Sequence, residues 1–176
     1  VGHQPEWVPY LHVAFDLAAS VCIFRVGTRL FGSWCGAIAA SAMLLYPAYW
    51  TYDPRIRSES LLTLLTCAWL WATVVSGDSR RLHSFAITGI LAGLTLLCKP
   101  AAMVLGISAA ALAYLGTETA GFKTHRAIAY LLACLLIVMP WTIRNYLSFG
   151  AVMPVSAGVG AGLWMASLNV KYRDFR

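Results

Sequence analysis

Four ionisable side chains stand close together in the segment Tyr46-Pro47-Ala48-Tyr49-Trp50-Thr51-Tyr52-Asp53-Pro54-Arg55-Ile56-Arg57-Ser58-Glu59-Ser60. They are Asp53, Arg55, Arg57 and Glu59, and an apolar run follows them. Such a cluster could orient a polar substrate, with carboxylates meeting hydroxyls and guanidinium groups meeting phosphate. Ionisable groups beside hydrocarbon point to function by default. The bland alternative is a solvated loop followed by a helix-start acid. Ser58 is expected to cap the next helix, which places Glu59 in its first turn, where the helix dipole favours a carboxylate.

Two more basic positions share this character. Lys99 lies in Leu96-Leu97-Cys98-Lys99-Pro100, between two apolar runs. Pro100 suits the first position of a helix, so the ammonium stands beside a helix N-terminus, a place that favours anions. The alternative is a lysine that snorkels to the interface. Arg144 lies in Pro140-Trp141-Thr142-Ile143-Arg144-Asn145-Tyr146. Its guanidinium suits bidentate phosphate recognition, or it meets lipid head groups or a helix-end carbonyl. Trp141 and Tyr146 read as interfacial belt residues. His12 and Asp16 stand four apart, on one helix face. They suit either a buried hydrogen-bonded or ionic pair or a proton relay in a transporter. Gly158-Val159-Gly160-Ala161-Gly162 resembles a dinucleotide loop by count alone. It lacks the strand–turn–helix context, so that reading is rejected.

The elements that must position these residues follow from composition. The chain has 176 residues, 60% of them hydrophobic and 11% charged. A soluble domain averages roughly 25% charged residues, and large exposed apolar patches are rare on soluble proteins. A soluble globular enzyme, a disordered chain, a disulfide scaffold and a nucleic-acid binder are thereby excluded. A polytopic, all-α transmembrane helix bundle remains. The net charge of +6 then points to anionic lipid head groups or phosphate-bearing lipid substrates. The five cysteines form no C-x-x-C pair and read as small core hydrophobes.

Six apolar spans are expected, at about 8–26, 34–52, 58–76, 84–98, 100–115 and 127–141. Residues 1–146 form the bundle and 147–176 a Gly-rich outer loop. With no signal peptide before its first apolar run, the chain reads as an internal piece of a longer polytopic protein. One side carries Arg25, Arg29, Arg80, Arg81, Lys123 and Arg126. The other carries Arg55, Arg57, Lys99, Arg144, Lys171, Arg173 and Arg176. The positive-inside rule does not separate two such similar sets. The second set lies at helix ends beside Pro, Asp, Glu and Asn. A lipid-linked phosphate would account for it on the outer face, which places the first set in the cytoplasm.

Three stretches resemble the GT-C superfamily of membrane glycosyltransferases, nearest to the protein O-mannosyltransferases and the bacterial aminoarabinose transferase of lipid A. The first is Arg25-Val26-Gly27-Thr28-Arg29-Leu30-Phe31-Gly32, leading to Tyr46-Pro47 and Glu59-Ser60-Leu61. The second is Gly93-Leu94-Thr95-Leu96-Leu97-Cys98-Lys99-Pro100. The third runs from Pro140-Trp141-Thr142-Ile143-Arg144-Asn145-Tyr146 through Phe149-Gly150 and Pro154-Val155-Ser156 to Gly162-Leu163-Trp164. This resemblance implies a multi-pass transferase of the plasma (inner) membrane with its active face outward. It would use a polyprenyl-phosphate-linked sugar donor and a lipid, glycan or protein acceptor. It also implies an acidic base in a first outer loop, expected before Val1, without which this piece alone would be inactive. Glu6 is not a convincing substitute, and His3 is the one visible outward histidine that could bear on a metal. Some relatives hold a divalent metal through an acidic residue and a histidine, but no metal ligands are assigned here. Lys99, Arg57, Arg144 and Asn145 are the expected substrate-binding residues, and Glu59 and Asp53 the expected catalytic acids. The alternatives are a transporter built on His12 and Asp16, or a non-catalytic membrane scaffold.

Overall fold

The first helix, α1, spans Val8–Phe31. Pro9 suits its first turn, and Arg29 stands in the last turn, where the dipole favours a cation. The computed structural model describes residues 7–46, 58–79, 81–102, 120–150, 152, 153 and 155, with side chains from 123 onward in the last helix. The sequence suggests a loop over 27–33, yet α1 runs on to Phe31. Gly32, at φ 96°, is the single residue joining it to α2, Ser33–Leu44. A non-glycine residue would be strained there. Gly27 does not break α1, because it is buried against α2. A methyl on Gly27 would stand 2.7 Å from the Gly36 Cα, so the two backbones approach as only glycines permit.

Helix α3 spans Glu59–Gly77 and α4 spans Leu82–Cys98. A single 3₁₀ turn, Pro100–Ala102, follows. Helix α5 spans Ala120–Phe149 and passes through Pro140. The sequence suggests an end near Trp141. Proline removes a backbone donor, but neighbouring groups in an apolar helix re-satisfy what it frees. Thr142 Oγ1 donates to the Val138 carbonyl at 3.2 Å across this position. The helix ends instead at Gly150, at φ 67°, whose N–H closes on the Tyr146 carbonyl at 2.9 Å.

The fold is therefore all-α among the described residues, with α1, α3 and α5 long and apolar enough to cross a membrane. That is fewer than the six expected spans. Helices α2 and α4, of 12 and 17 residues, are apolar but short, against the roughly 20 residues a span needs. Within the second expected span α2 ends at Leu44, and the part of that span beyond Tyr46 lies outside the described residues, as does the fifth span beyond Ala102.

The helices pack in a row, α2–α1–α3–α4–α5. Arg29 meets Asp78 and Arg25 meets Trp71, so α1 and α3 run parallel. Cys98 reaches back to Ser58, so α3 and α4 run antiparallel. Gly89 lies on Tyr130 and Gly93 on Cys134 and Ile137, which makes α4 and α5 parallel neighbours. Trp69, Ala92 and Tyr130 form the core where α3, α4 and α5 meet. The outward faces stay apolar. Leu131, Leu132, Leu135, Leu136 and Met139 on α5 are exposed, as lipid-facing positions should be. The hydroxyls of Thr63, Thr73, Thr88 and Thr95 donate to carbonyls of their own helices, which hides their polarity.

This topology sorts the charges. Glu59, Lys99 and Arg144 lie at one end of the bundle. Arg25, Arg29, Asp78, Arg81, Lys123 and Arg126 lie towards the other. Arg126 is the buried member of the second group. Its Nη2 donates to the Ser79 carbonyl at 2.8 Å, and its guanidinium lies 4.7 Å from the Phe85 ring centroid. This clamp fixes the start of α5 on the α3–α4 turn. Arg126→Ala is expected to cost about 2 kcal/mol, from one charge-assisted hydrogen bond and one cation–π contact. Thermal unfolding in detergent checks it, and an unchanged midpoint would refute the clamp.

Candidate functional site

Lys99 owes its position to its neighbour. Proline disfavours the helical region for the residue before it. Lys99 accordingly ends α4 in an extended conformation, at φ −150° and ψ 117°, while its N–H still closes on the Thr95 carbonyl at 3.0 Å. The side chain therefore leaves the helix and turns towards the start of α3. Its Nζ stands 3.9 Å from Glu59 Oε1, with both side chains about half exposed.

Glu59 is the first residue of α3, as expected. Ser58 occupies the capping position but makes no side-chain capping bond, because its backbone is already helix-like at φ −86° and ψ 0°. It serves through its carbonyl instead, accepting the Leu62 N–H at 2.8 Å and the Cys98 Sγ at 3.7 Å. The second contact joins the start of α3 to the end of α4. It keeps Glu59 beside Lys99.

The magnitude of the Glu59–Lys99 contact decides how it is used. An exposed pair near the 4 Å limit contributes under about 1 kcal/mol. It adds little to folding and is easily opened by a competing anion. Two opposite charges at a helix junction, weakly held, are suited to a ligand that carries phosphate and hydroxyls together.

Arg144 lies on α5 at the same end of the bundle. It is exposed, with its guanidinium 4.7 Å from the Trp141 ring centroid. Asn145 is buried, and its Nδ2 donates to the Met153 carbonyl at 3.0 Å. Trp141 Nε1 donates to the Val155 carbonyl at 2.9 Å. Met153 and Val155 are thus fastened back onto the end of α5. The belt reading of Trp141 missed this tether, although an indole N–H near a helix end is a donor in need of a partner. Asn145→Ala is expected to release 152–155. Limited proteolysis checks this: faster cleavage after Phe149 is the expected result, and an unchanged pattern would contradict it.

Asp53 and Arg57, with Arg55, lie outside the described residues. So do His3 and Glu6. His12 and Asp16 are both buried on one face of α1, with Ala19 and Ser20. Among the described residues, no three His, Cys, Asp or Glu side chains gather as a metal site would require.

The sequence model of the dolichyl-phosphate-mannose-protein mannosyltransferase family matches residues 2–143. The chain belongs to that family. Neither a curated protein nor a solved structure matches it. Membership indicates a membrane glycosyltransferase of mannosyltransferase-like type, and the apolar helices agree with an integral membrane protein. The matched region takes in α1 to α4 and most of α5, including Glu59 and Lys99 and stopping one residue before Arg144.

Proposed function

We propose that the Glu59–Lys99 end of the bundle receives the phosphate of a polyprenyl-phosphate-linked sugar, whose glycosyl group passes to a lipid, glycan or protein acceptor on the outer face of the plasma (inner) membrane. The observation that carries this reading is the junction of α3 and α4. There Lys99 Nζ stands 3.9 Å from Glu59 Oε1, at the end that also holds Arg144. Family membership supplies the reaction class.

The chemistry assigns the roles. Attack on the anomeric carbon breaks its bond to the phosphate oxygen and builds an oxocarbenium-like centre. The departing phosphate gains negative charge as that bond lengthens. A fixed cation therefore stabilises the transition state more than the bound donor. Lys99 is the first candidate for this work, and Arg57 and Arg144 are the further candidates. Glu59, together with Asp53, orients these cations or accepts hydrogen bonds from sugar hydroxyls. Asn145 acts by holding the 152–155 segment near Arg144.

Transfer from a labelled polyprenyl-phosphate mannose, using the intact protein in native-like membranes, tests the proposal. Labelled acceptor is the expected product. The absence of both transfer and donor binding would contradict the reading. Donor binding without mannose transfer would keep the phosphate site and change the sugar.

A further inference from the structure

A second basic site lies at the opposite end of the bundle. An open cleft of about 390 Å³ between α1 and α3 is lined by Phe24, Arg25, Thr28, Arg29 and Trp71. Arg25 and Arg29 stand four apart, so both guanidinium groups lie on one face of α1. Arg25 lies 6.0 Å from the Trp71 ring centroid. Arg29 is held from the other side, where its Nε donates to Asp78 Oδ2 at 3.1 Å.

From this cleft we infer that Arg25 and Arg29 bind the phosphate head group of an anionic membrane phospholipid, a site distinct from the one proposed for the sugar donor. Three observations support it. The cleft lies near the ends of two helices long enough to cross the membrane, where head groups lie. Among the described residues, Asp78 pairs with Arg29, while Arg25 lies over the Trp71 ring and shows no carboxylate partner. An apolar track also leads from it along α1, because Phe24, Val21 and Leu17 are exposed at helical spacing. Acyl chains can follow that track into the hydrocarbon while the phosphate stays beside the guanidinium groups. Trp71 closes the side of the cleft with an apolar ring and a polar N–H, the character favoured at this depth. Free phosphate has no use for the track, which favours a lipid as its source.

Native mass spectrometry of the intact protein, offered phosphatidylglycerol and phosphatidylcholine in equal amounts, tests the inference. Wild type is expected to retain phosphatidylglycerol in preference. Each guanidinium removed is expected to reduce that preference roughly fivefold. Arg25→Gln leaves the Arg29–Asp78 pair in place and so preserves the fold. Arg25→Gln/Arg29→Gln should abolish the preference, and Asp78→Asn should raise it by removing the competing carboxylate. Equal retention of the two lipids by wild type would overturn the inference, as would an unchanged preference in Arg25→Gln. Displacement of the bound lipid by millimolar inorganic phosphate alone would overturn the lipid assignment. Sugar transfer by Arg25→Gln in detergent should equal that of wild type. Loss of lipid preference with transfer intact therefore separates this site from the donor site.

Discussion

Lys99→Ala is expected to lower sugar transfer about 10²–10³-fold, the loss typical when one donor to a developing negative charge is removed. The amount of folded protein should not change. The Glu59 contact at 3.9 Å joins two side chains that are about half exposed, and such a pair adds under about 1 kcal/mol to stability. The loss should fall mainly on kcat. The donor already carries charge when it binds, so part of the attraction is spent equally on ground and transition states. The charge gained on bond cleavage is felt only in the transition state. Lys99→Arg keeps the cation but changes its reach, and should recover part of the rate. Glu59→Gln should cost less, since it removes an orienting group and leaves the cation. Steady-state rates on extracted, correctly folded protein check all three. Wild-type kcat in Lys99→Ala would remove Lys99 from the mechanism.

Gly89→Val is expected to destabilise the bundle by about 3 kcal/mol, the upper range for overpacking. A Cβ at Gly89 would overlap the Tyr130 carbonyl oxygen. It would also stand 3.0 Å from the carbonyl carbon and 3.1 Å from Ala133 Cβ. Backbone atoms cannot swing aside as a flexible side chain can, so α4 and α5 must part. Their separation opens the Trp69–Ala92–Tyr130 core, which lies at the same level. Gly93 makes a second tight contact one turn on, 3.0 Å from the Cys134 carbonyl and 2.9 Å from Ile137 Cβ. Gly77 provides the contrast. Nothing lies within 4 Å of a Cβ built there, so Gly77→Ala should be neutral or stabilising by up to about 1 kcal/mol. Thermal unfolding in one detergent compares the two. Equal midpoints would show that the α4–α5 seam is looser than described.

Much of this arrangement was legible in the sequence because its physics is local. Long Leu- and Ala-rich runs dictate helices in lipid, and Pro100 dictates that Lys99 leaves its helix. The sorting of Arg25, Arg29, Arg81, Lys123 and Arg126 from Lys99 and Arg144 followed from counting crossings. What the sequence hid depends on partners. Gly27 looks like a loop residue until its backbone is brought against that of Gly36. Pro140 looks like a helix end, although α5 continues to Phe149. Ser58 has the right type for a cap but not the right backbone angles. The pairing of Glu59 with Lys99 joins residues 40 apart in the chain, and no local pattern announces it.

Binding of polyprenyl monophosphate without a sugar tests the central claim most directly, because it asks only which end of the bundle takes the lipid phosphate. Dissociation constants would be measured for wild type, Lys99→Ala and Arg25→Gln in the same neutral nanodiscs. A dissociation constant raised about tenfold in Lys99→Ala, roughly the 1.4 kcal/mol of one modest charge contact, and unchanged in Arg25→Gln is the expected result. Unchanged binding in Lys99→Ala with weakened binding in Arg25→Gln would place the phosphate at the wrong end and contradict the account.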